Sequence, residues 1–262
     1  MLHFRIDDAQ TANLITVITS TSPVASTPSL RHIYQAQQSL LKIPAFRKCQ
    51  KIIVFDGVPP AYKDRVKRYE QYKLRIASLI SEDTAFYKTS LVYCEDWLHL
   101  SGAIEQALSK VTTPFVFLHQ HDITLVKSFD LKGCLASMIV NNNIKHIHFP
   151  RYRNLGRHSG DMQASWDGPV DSYIAGGSEI QLTRCFGWSD YAQITSVEYL
   201  QNFILPKCKH GFMETFIQPM FKKALYGLSS TQIDTVHAEY GTYLYGSLDD
   251  GNYTQHSDAA RK

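Results

Sequence analysis

The sequence predicts an α/β fold, a mostly parallel central sheet flanked by helices. Short apolar runs rich in β-branched and aromatic residues recur at Leu14–Thr19, Lys51–Phe55, Thr89–Cys94 and Phe115–Leu118, the composition of strands covered on both faces. Stretches with helical spacing lie between them, so strand and helix alternate as they do when crossovers join parallel neighbours. No repeat or linker divides the 262 residues, a length able to bury one sizeable core. We read one domain over residues 1–262. Its first half, about 13–126, alternates regularly, and in its second half, about 127–262, the regularity weakens.

In order along the chain, Asn13 marks the start of the first strand. The segment STSPVASTPS is a loop, and Ser26 or Thr27 ahead of Pro28 supplies an N-cap with proline in the first helical turn. Leu30, Ile33, Tyr34, Gln37 and Leu41 follow at helical spacing. Asp56-Gly57-Val58-Pro59-Pro60 stops the second strand abruptly. Tyr62–Ile80 reads as a long helix with Val66, Tyr69, Ile76 and Leu79 or Ile80 on one side. Its Lys63, Arg65, Lys67, Arg68, Lys73 and Arg75 are expected to form a solvated basic face. A helix over Leu100–Lys110 leads to the fourth strand. A helix at Asp130–Val140, a strand at Lys145–Phe149 and a long loop over 151–171 come next. Tyr173–Cys185 reads as extended, the stretches SVEYLQNFI and METFIQPMFKKAL as helical, and the tail as a hairpin turning at Asp250-Gly251-Asn252.

A net charge of +3 permits an anionic ligand but is too mild for a nucleic-acid partner without a clustered basic face. The five cysteines are odd in number and include no C-x-x-C, so neither a zinc knuckle nor a closed disulfide framework is spelled out. No signal-like start or transmembrane run is visible, and the expected location is the cytoplasm.

Ligands of an open α/β sheet bind beyond the carboxyl ends of its strands. Those ends carry Thr19 to Ser22, Asp56-Gly57, Asp96 and His119-Gln120-His121-Asp122. A carboxylate closing a buried strand is costly unless it is paired or holds a cation, which singles out Asp122. If the strand stays regular, His119 and His121 share one side and Gln120 and Asp122 the other.

The order of elements, Asp56-Gly57 after the second strand, the helix start at Ser101-Gly102-Ala103 and the carboxylate closing PFVFLHQHD resemble the nucleotide-sugar domain of GT-A glycosyltransferases, family 2 in particular. The resemblance covers roughly the first half of the chain. It implies a GT-A-like (Rossmann-like) fold with a nucleotide-sugar-binding first half and a C-terminal acceptor-side region. It also implies a hexosyltransferase-type activity that moves a sugar, UDP-linked, to a glycan or other hydroxyl acceptor with inversion. In such enzymes this strand ends in D-x-D, whose last Asp holds the metal. Here Gln120-His121-Asp122 stands there, with Gln120 able to bond a ribose hydroxyl and nearby imidazoles such as His121 better suited to Mn²⁺ than to Mg²⁺.

The resemblance further implies that Thr19, Ser20 and Ser22 line the nucleotide pocket, that Asp56 meets base or ribose, and that Ser101 and Gly102 lie close to the uracil. His256, or alternatively His237, would complete the metal sphere begun by Asp122. Arg151, Arg153, Arg157 and His158 in the long loop would offset charge on the departing diphosphate. The segment Ile174–Ser178 resembles the one before the acceptor strand. An inverting transfer needs a carboxylate to take the acceptor proton; Glu214 is the first choice and Asp190 its rival, and either could instead cap a helix. Trp166, Trp188, Tyr243 and Tyr245 could stack on a sugar or fill a core.

Two other readings compete. The pairs His119-x-His121 and His146-x-His148 could build a zinc-dependent hydrolase, although no H-E-x-x-H is present. The replaced first acid of the motif leaves open a non-catalytic nucleotide- or carbohydrate-binding module.

Overall fold

The computed structural model describes residues 8–151, 169–175 and 177–257. The apolar runs form β1 (Ile15–Thr21), β2 (Gln50–Phe55), β3 (Thr89–Tyr93) and β4 (Phe115–Gln120). Three helices alternate with them: α2 (Arg31–Leu40), α3 (Val66–Glu82) and α4 (His99–Leu108). A short α1 (Asp8–Leu14), unforeseen in the sequence, runs straight into β1. β5 (Ile123–Leu125), α5 (Leu131–Val140) and β6 (His146–His148) follow, with Asp130 capping α5 by accepting from the Gly133 N–H at 2.8 Å. The remainder comprises β7 (Val170–Ala175), β8 (Ser178–Arg184), β9 (Gln193–Ser196), α6 (Val197–Tyr199), α7 (Met213–Leu225), α8 (Ser230–Tyr240), β10 (Thr242–Tyr245) and β11 (Thr254–His256).

Among the described residues, nine strands make one sheet in the order β3-β2-β1-β4-β9-β6-β10-β8-β7. The pairs β3–β2, β2–β1, β1–β4 and β6–β10 are parallel, whereas β9 and β8 run antiparallel to both of their neighbours. Seven of these nine strands therefore run one way, so the sheet is mostly parallel in direction and flanked by helices, as the sequence predicts. One core packs Phe46, Phe117, Phe129, Phe149 and Tyr243 on one face. A second packs Leu118, Trp188, Ile217 and Phe221 on the other. Burial on both faces explains why β1 reads as a continuous apolar run without alternation.

Several sequence expectations are corrected. α2 begins at Arg31 behind Leu30, so neither Ser26 nor Thr27 caps it and Pro28 lies in the preceding turn. The long third helix starts at Val66, after a 3-10 turn over Pro60–Arg65. Its basic face is not simply solvated: Arg65, Arg68 and Arg75 donate to the carbonyls of Pro23, Ala25 and Pro28 at 2.9, 2.9 and 3.2 Å. Three guanidinium groups on one helical face therefore hold the β1–α2 loop. The tail is no hairpin, because β10 inserts between β6 and β8 while β11 pairs antiparallel with β5 in a separate two-stranded sheet. α8 also escaped the sequence reading, its alternation of polar and apolar residues giving little helical contrast. Among the described residues no helix is long and apolar enough to cross a membrane.

Candidate functional site

A cleft of about 470 Å³ opens at the carboxyl ends of β1, β2 and β4, lined by the β1 end, Asp56, the start of α4 and Gln120-His121-Asp122. The expectation that side chains alternate past His119 fails because β4 ends at Gln120. Beyond it, the His121 N–H donates to the Ser20 carbonyl at 3.0 Å, and Gln120, His121 and Asp122 all reach the cleft. His119 stays on the strand and is buried, edge-on to Phe117.

Asp122 meets His256 at the mouth of the sheet. Its Oδ2 lies 3.2 Å from His256 Nδ1, while its Oδ1 is buried without a hydrogen-bond partner. Burial alone would push the Asp122 carboxyl up, yet the hydrogen bond from His256 and the nearby His121 and His256 imidazoles hold it at about 2. The pairing of β11 with β5 sets His256 opposite Ile123, one residue from Asp122, and the Ser257 N–H closes the corner on the Asp122 carbonyl at 2.8 Å. His237 is elsewhere, its Nε2 on the Thr242 carbonyl at 2.9 Å. A carboxylate oxygen left orphaned beside an imidazole nitrogen suits a divalent cation that accepts mixed oxygen and nitrogen donors. Among the described residues no third His, Cys, Asp or Glu joins them in a metal-holding group.

Asp56 closes the far side of the cleft. Its Oδ1 accepts the Gly57 and Leu98 N–H groups at 2.8 Å each, joining the ends of β2 and β3. Burial pushes its carboxyl above the ordinary range against those two bonds. The two loops cross so closely that a Cβ on Gly57 would lie 2.3 Å from the Asp96 carbonyl carbon. Gly57→Ala is expected to destabilise the protein by roughly 1–3 kcal/mol, measured by urea unfolding; unaltered stability would mean that the loops part freely.

Other expected residues are placed differently. Ser20 and Ser22 line the cleft, but Thr19 does not, since its hydroxyl accepts from Gln37 Nε2 at 2.7 Å inside the protein. Ser101 and Gly102 also turn away. The Ser101 hydroxyl accepts the Gly211 N–H at 3.0 Å, and Gly102 packs against His210 and Leu98. Leu100 and Ala103, three residues apart on one face of α4, line the cleft instead. Trp188 and Tyr243 are core residues, while Ile174 and Ala175 end β7 and Ser178 opens β8 in the edge pair, far along the sheet from the cleft. Arg153, Arg157, His158 and Trp166 lie outside the described residues.

The two candidate bases, 24 positions apart, come together. Glu214 sits in the first turn of α7, where its Oε2 accepts the Ser189 hydroxyl at 2.6 Å. Asp190 is half-buried, its Oδ2 is shut off from solvent without a hydrogen-bond partner, and its carboxylate accepts from the Glu214 main chain. Burial first, then the Glu214 charge, push its carboxyl up to about 7. Tyr191, next to Asp190 in sequence, has its ring 5.5 Å from that of His256, the partner of Asp122, and carries the Arg151 guanidinium at 4.4 Å. Phe212, which caps α7, lines the cleft.

Sequence reading missed the aromatic and cationic rim of the cleft: Tyr62, Arg65, Trp97 and His99. Arg65 lies 3.9 Å over the Tyr62 ring, and the Trp97 and His99 rings meet at a tilt with centroids 3.7 Å apart. His99 adopts φ +57°, a conformation uncommon outside glycine. Their signal in the sequence was position alone, just past the ends of β2 and β3. The H-x-H pairs build no common centre. His121 faces the cleft, whereas His146 and His148 are buried against Trp188.

The chain matches no protein-family model and no curated protein. Among solved structures it is similar to S. aureus TarS 1–349 in complex with UDP-GlcNAc, with 13% identity and a TM-score of 0.48 over 95% of this chain and 61% of that one. The mannosyltransferase PcManGT from Pyrobaculum calidifontis, in complex with GDP-Man and Mn²⁺, shares 14% identity at a TM-score of 0.34 over 53% of this chain and 35% of that one. The nucleotidyl transferase Mth528 from Methanothermobacter thermautotroptrophicus shares 10% at 0.44, over 90% and 87%. The chain therefore spans about three-fifths of the TarS chain it matches. At these identities and TM-scores the likeness assigns no activity to this chain.

Proposed function

We propose that the protein is a glycosyltransferase that moves a sugar from a uridine diphosphate donor to a hydroxyl acceptor with inversion. The observation that supports it most is the convergence at one sheet end of the Asp122–His256 pair and the Asp190–Glu214 pair, with Tyr191 next to Asp190 in sequence and its ring against that of His256. The first pair suits a diphosphate-bound cation and the second suits proton removal, the two tasks that such a transfer sets.

In this reading the nucleoside occupies the cleft. Asp56 accepts a hydrogen bond from the N–H of the uracil, Ser20, Ser22 and Gln120 meet the ribose and phosphates, and Trp97 offers an aromatic face to the base. Asp122 and His256 would hold Mn²⁺, or less readily Mg²⁺, which neutralises charge developing on the diphosphate. Arg151, beside Tyr191, adds a fixed positive charge on the same side. The acceptor oxygen forms its bond to the anomeric carbon as the bond from that carbon to the diphosphate oxygen breaks. The electron pair leaves with the diphosphate, and the acceptor proton passes to the carboxylate of Asp190. A carboxyl poised near 7 takes that proton and keeps it, which favours Asp190 over Glu214 as the base.

A thermal-shift series with UDP and UDP-GlcNAc, each with and without Mn²⁺, tests the binding half. Saturation at about a hundred times Kd stabilises by about 2.7 kcal/mol, a rise in Tm of roughly 5–10 °C for a chain of this size. The rise is expected with Mn²⁺ present and not without it, and Asp122→Ala is expected to abolish it. Equal stabilisation without metal, or in the Asp122 variant, would remove the cation from the reading.

A further inference from the structure

The two faces of α7 differ in chemistry. Met213, Ile217 and Phe221, four residues apart, are buried in the core that also holds Leu118 and Trp188. The opposite face is apolar and basic. Phe212 at its head is 57% exposed, Met220 is 42% exposed and Tyr226 at its end 89%, with Lys222 and Lys223 exposed between the last two. From Phe212 to Tyr226 this face runs for about 20 Å along the helix.

Charge around it is one-sided. Between Glu198 and Asp234 the chain holds four lysines and one acid, Glu214. That acid is turned to the Ser189 hydroxyl at 2.6 Å, and Lys207 donates to the Phe203 carbonyl at 2.6 Å. Lys209, Lys222 and Lys223 are exposed and meet no acid among the described residues. The other basic helix, α3, is disposed differently: Arg65, Arg68 and Arg75 are engaged with loop carbonyls, and Lys73 pairs with Glu70 at 2.7 Å.

Exposed aromatic and thioether side chains beside unpaired lysines match the interfacial layer of a bilayer. Rings and apolar chains enter the headgroup boundary, and lysine stems reach along it to lipid phosphates. A protein partner fits less well, because lysine is depleted from protein interfaces. A second copy docked about a twofold axis would set these lysines against their own counterparts.

We propose that the outward face of α7 docks on a membrane surface rich in anionic phospholipid, with Phe212, Met220 and Tyr226 entering the headgroup region and Lys209, Lys222 and Lys223 pairing with the headgroups. Phe212 also lines the cleft, so docking sets the mouth of the cleft at the membrane. An acceptor hydroxyl carried on a lipid then lies within reach, a consequence that rests on the transferase reading. The docking itself requires no substrate.

The test is co-sedimentation of the whole protein with vesicles of phosphatidylcholine alone and of phosphatidylcholine mixed equally with phosphatidylglycerol. Binding is expected to the mixed vesicles, weakening as salt is raised, and not to phosphatidylcholine alone. The double variant Lys222→Ala/Lys223→Ala is expected to lower the partition coefficient roughly thirtyfold, about fivefold for each lysine. Met220→Ser/Tyr226→Ser, which leaves the charge intact, is expected to lower it about tenfold. Lys63→Ala/Lys67→Ala, at the head of α3, is the control and is expected to change it little. All six side chains are exposed, so each variant should unfold close to the parent's Tm. No binding to the mixed vesicles, or equal losses in the α3 and α7 variants, would overturn the proposal. So would a concentration-dependent dimer in sedimentation velocity that Met220→Ser/Tyr226→Ser abolishes, which would assign the face to a second copy. A failed transferase reading shows separately, as absent Mn²⁺-dependent stabilisation by UDP in a protein that still binds the mixed vesicles.

Discussion

Lowering the pH from 7 to 4 is expected to strip away most of the protein's stability. His119, His146 and His148 are wholly inside the fold, and burial drives all three imidazoles below the ordinary 6.5, to about 4 for His119 and about 3 for His148. The unfolded chain binds protons on these rings from about pH 6.5 downwards while the folded one does not, so stability falls as pH falls through that window. It stops falling only below the folded values. Each tenfold difference in proton affinity between the folded and unfolded chain is worth about 1.4 kcal/mol. His119 and His148 therefore each cost on the order of 3 kcal/mol by pH 4, against a whole stability of about 5–15 kcal/mol, and His146 acts in the same direction. Asp190 works in the opposite direction, since protonation below about 7 relieves its buried charge. Asp56, whose carboxyl burial also raises, works with it, whereas the imidazoles of His121 and His237, also lowered by burial, act with the other three. Urea unfolding at intervals from pH 7 to 4 should show a steep decline, and His148→Phe, which replaces a buried imidazole lacking any hydrogen-bond partner with a ring that does not titrate, should flatten it. A stability that is level or rising toward pH 4 would mean that these rings are hydrated or protonated in the folded protein.

Asp190→Asn is expected to lower the rate of sugar transfer or donor hydrolysis by about 10²–10⁴-fold, the range a general base supplies. Asparagine keeps the size of the side chain and cannot accept the proton. Asp190 does not line the nucleotide cleft, so the Mn²⁺-dependent rise in Tm with UDP should survive the substitution. In the parent, the rate of UDP release from UDP-GlcNAc should increase with pH through about 7, because only the ionised Asp190 is a base. Retained turnover in the variant would return the role to Glu214. Loss of nucleotide binding together with turnover would make Asp190 a structural acid.

Much of the fold is legible in one dimension. Four apolar runs separated by helical spacing specify a parallel α/β core, because burial on both faces leaves a continuous hydrophobic signature. Asp56, Ser20, Ser22, Gln120 and Asp122 are legible by the same logic, since strand ends are where such a sheet presents polar groups. Thr19, Ser101 and Gly102 were misplaced because one step along a strand, or about 100° around a helix, separates cleft from interior. Register at that resolution is fixed by packing.

Local residue pattern thus accounts for the sheet, its helices and the carboxylate at its mouth. What that carboxylate meets is a matter of the folded chain. His256 arrives from 134 positions away (256 less 122) on a strand that leaves the main sheet to pair with β5, and Asp190 reaches Glu214 through the docking of α7. Contacts of that separation depend on how whole elements pack, and no local pattern of residues records them. The proton affinity of Asp190 has the same origin: burial and a neighbouring charge are properties of the folded chain, and the letters of the segment GWSDY carry neither.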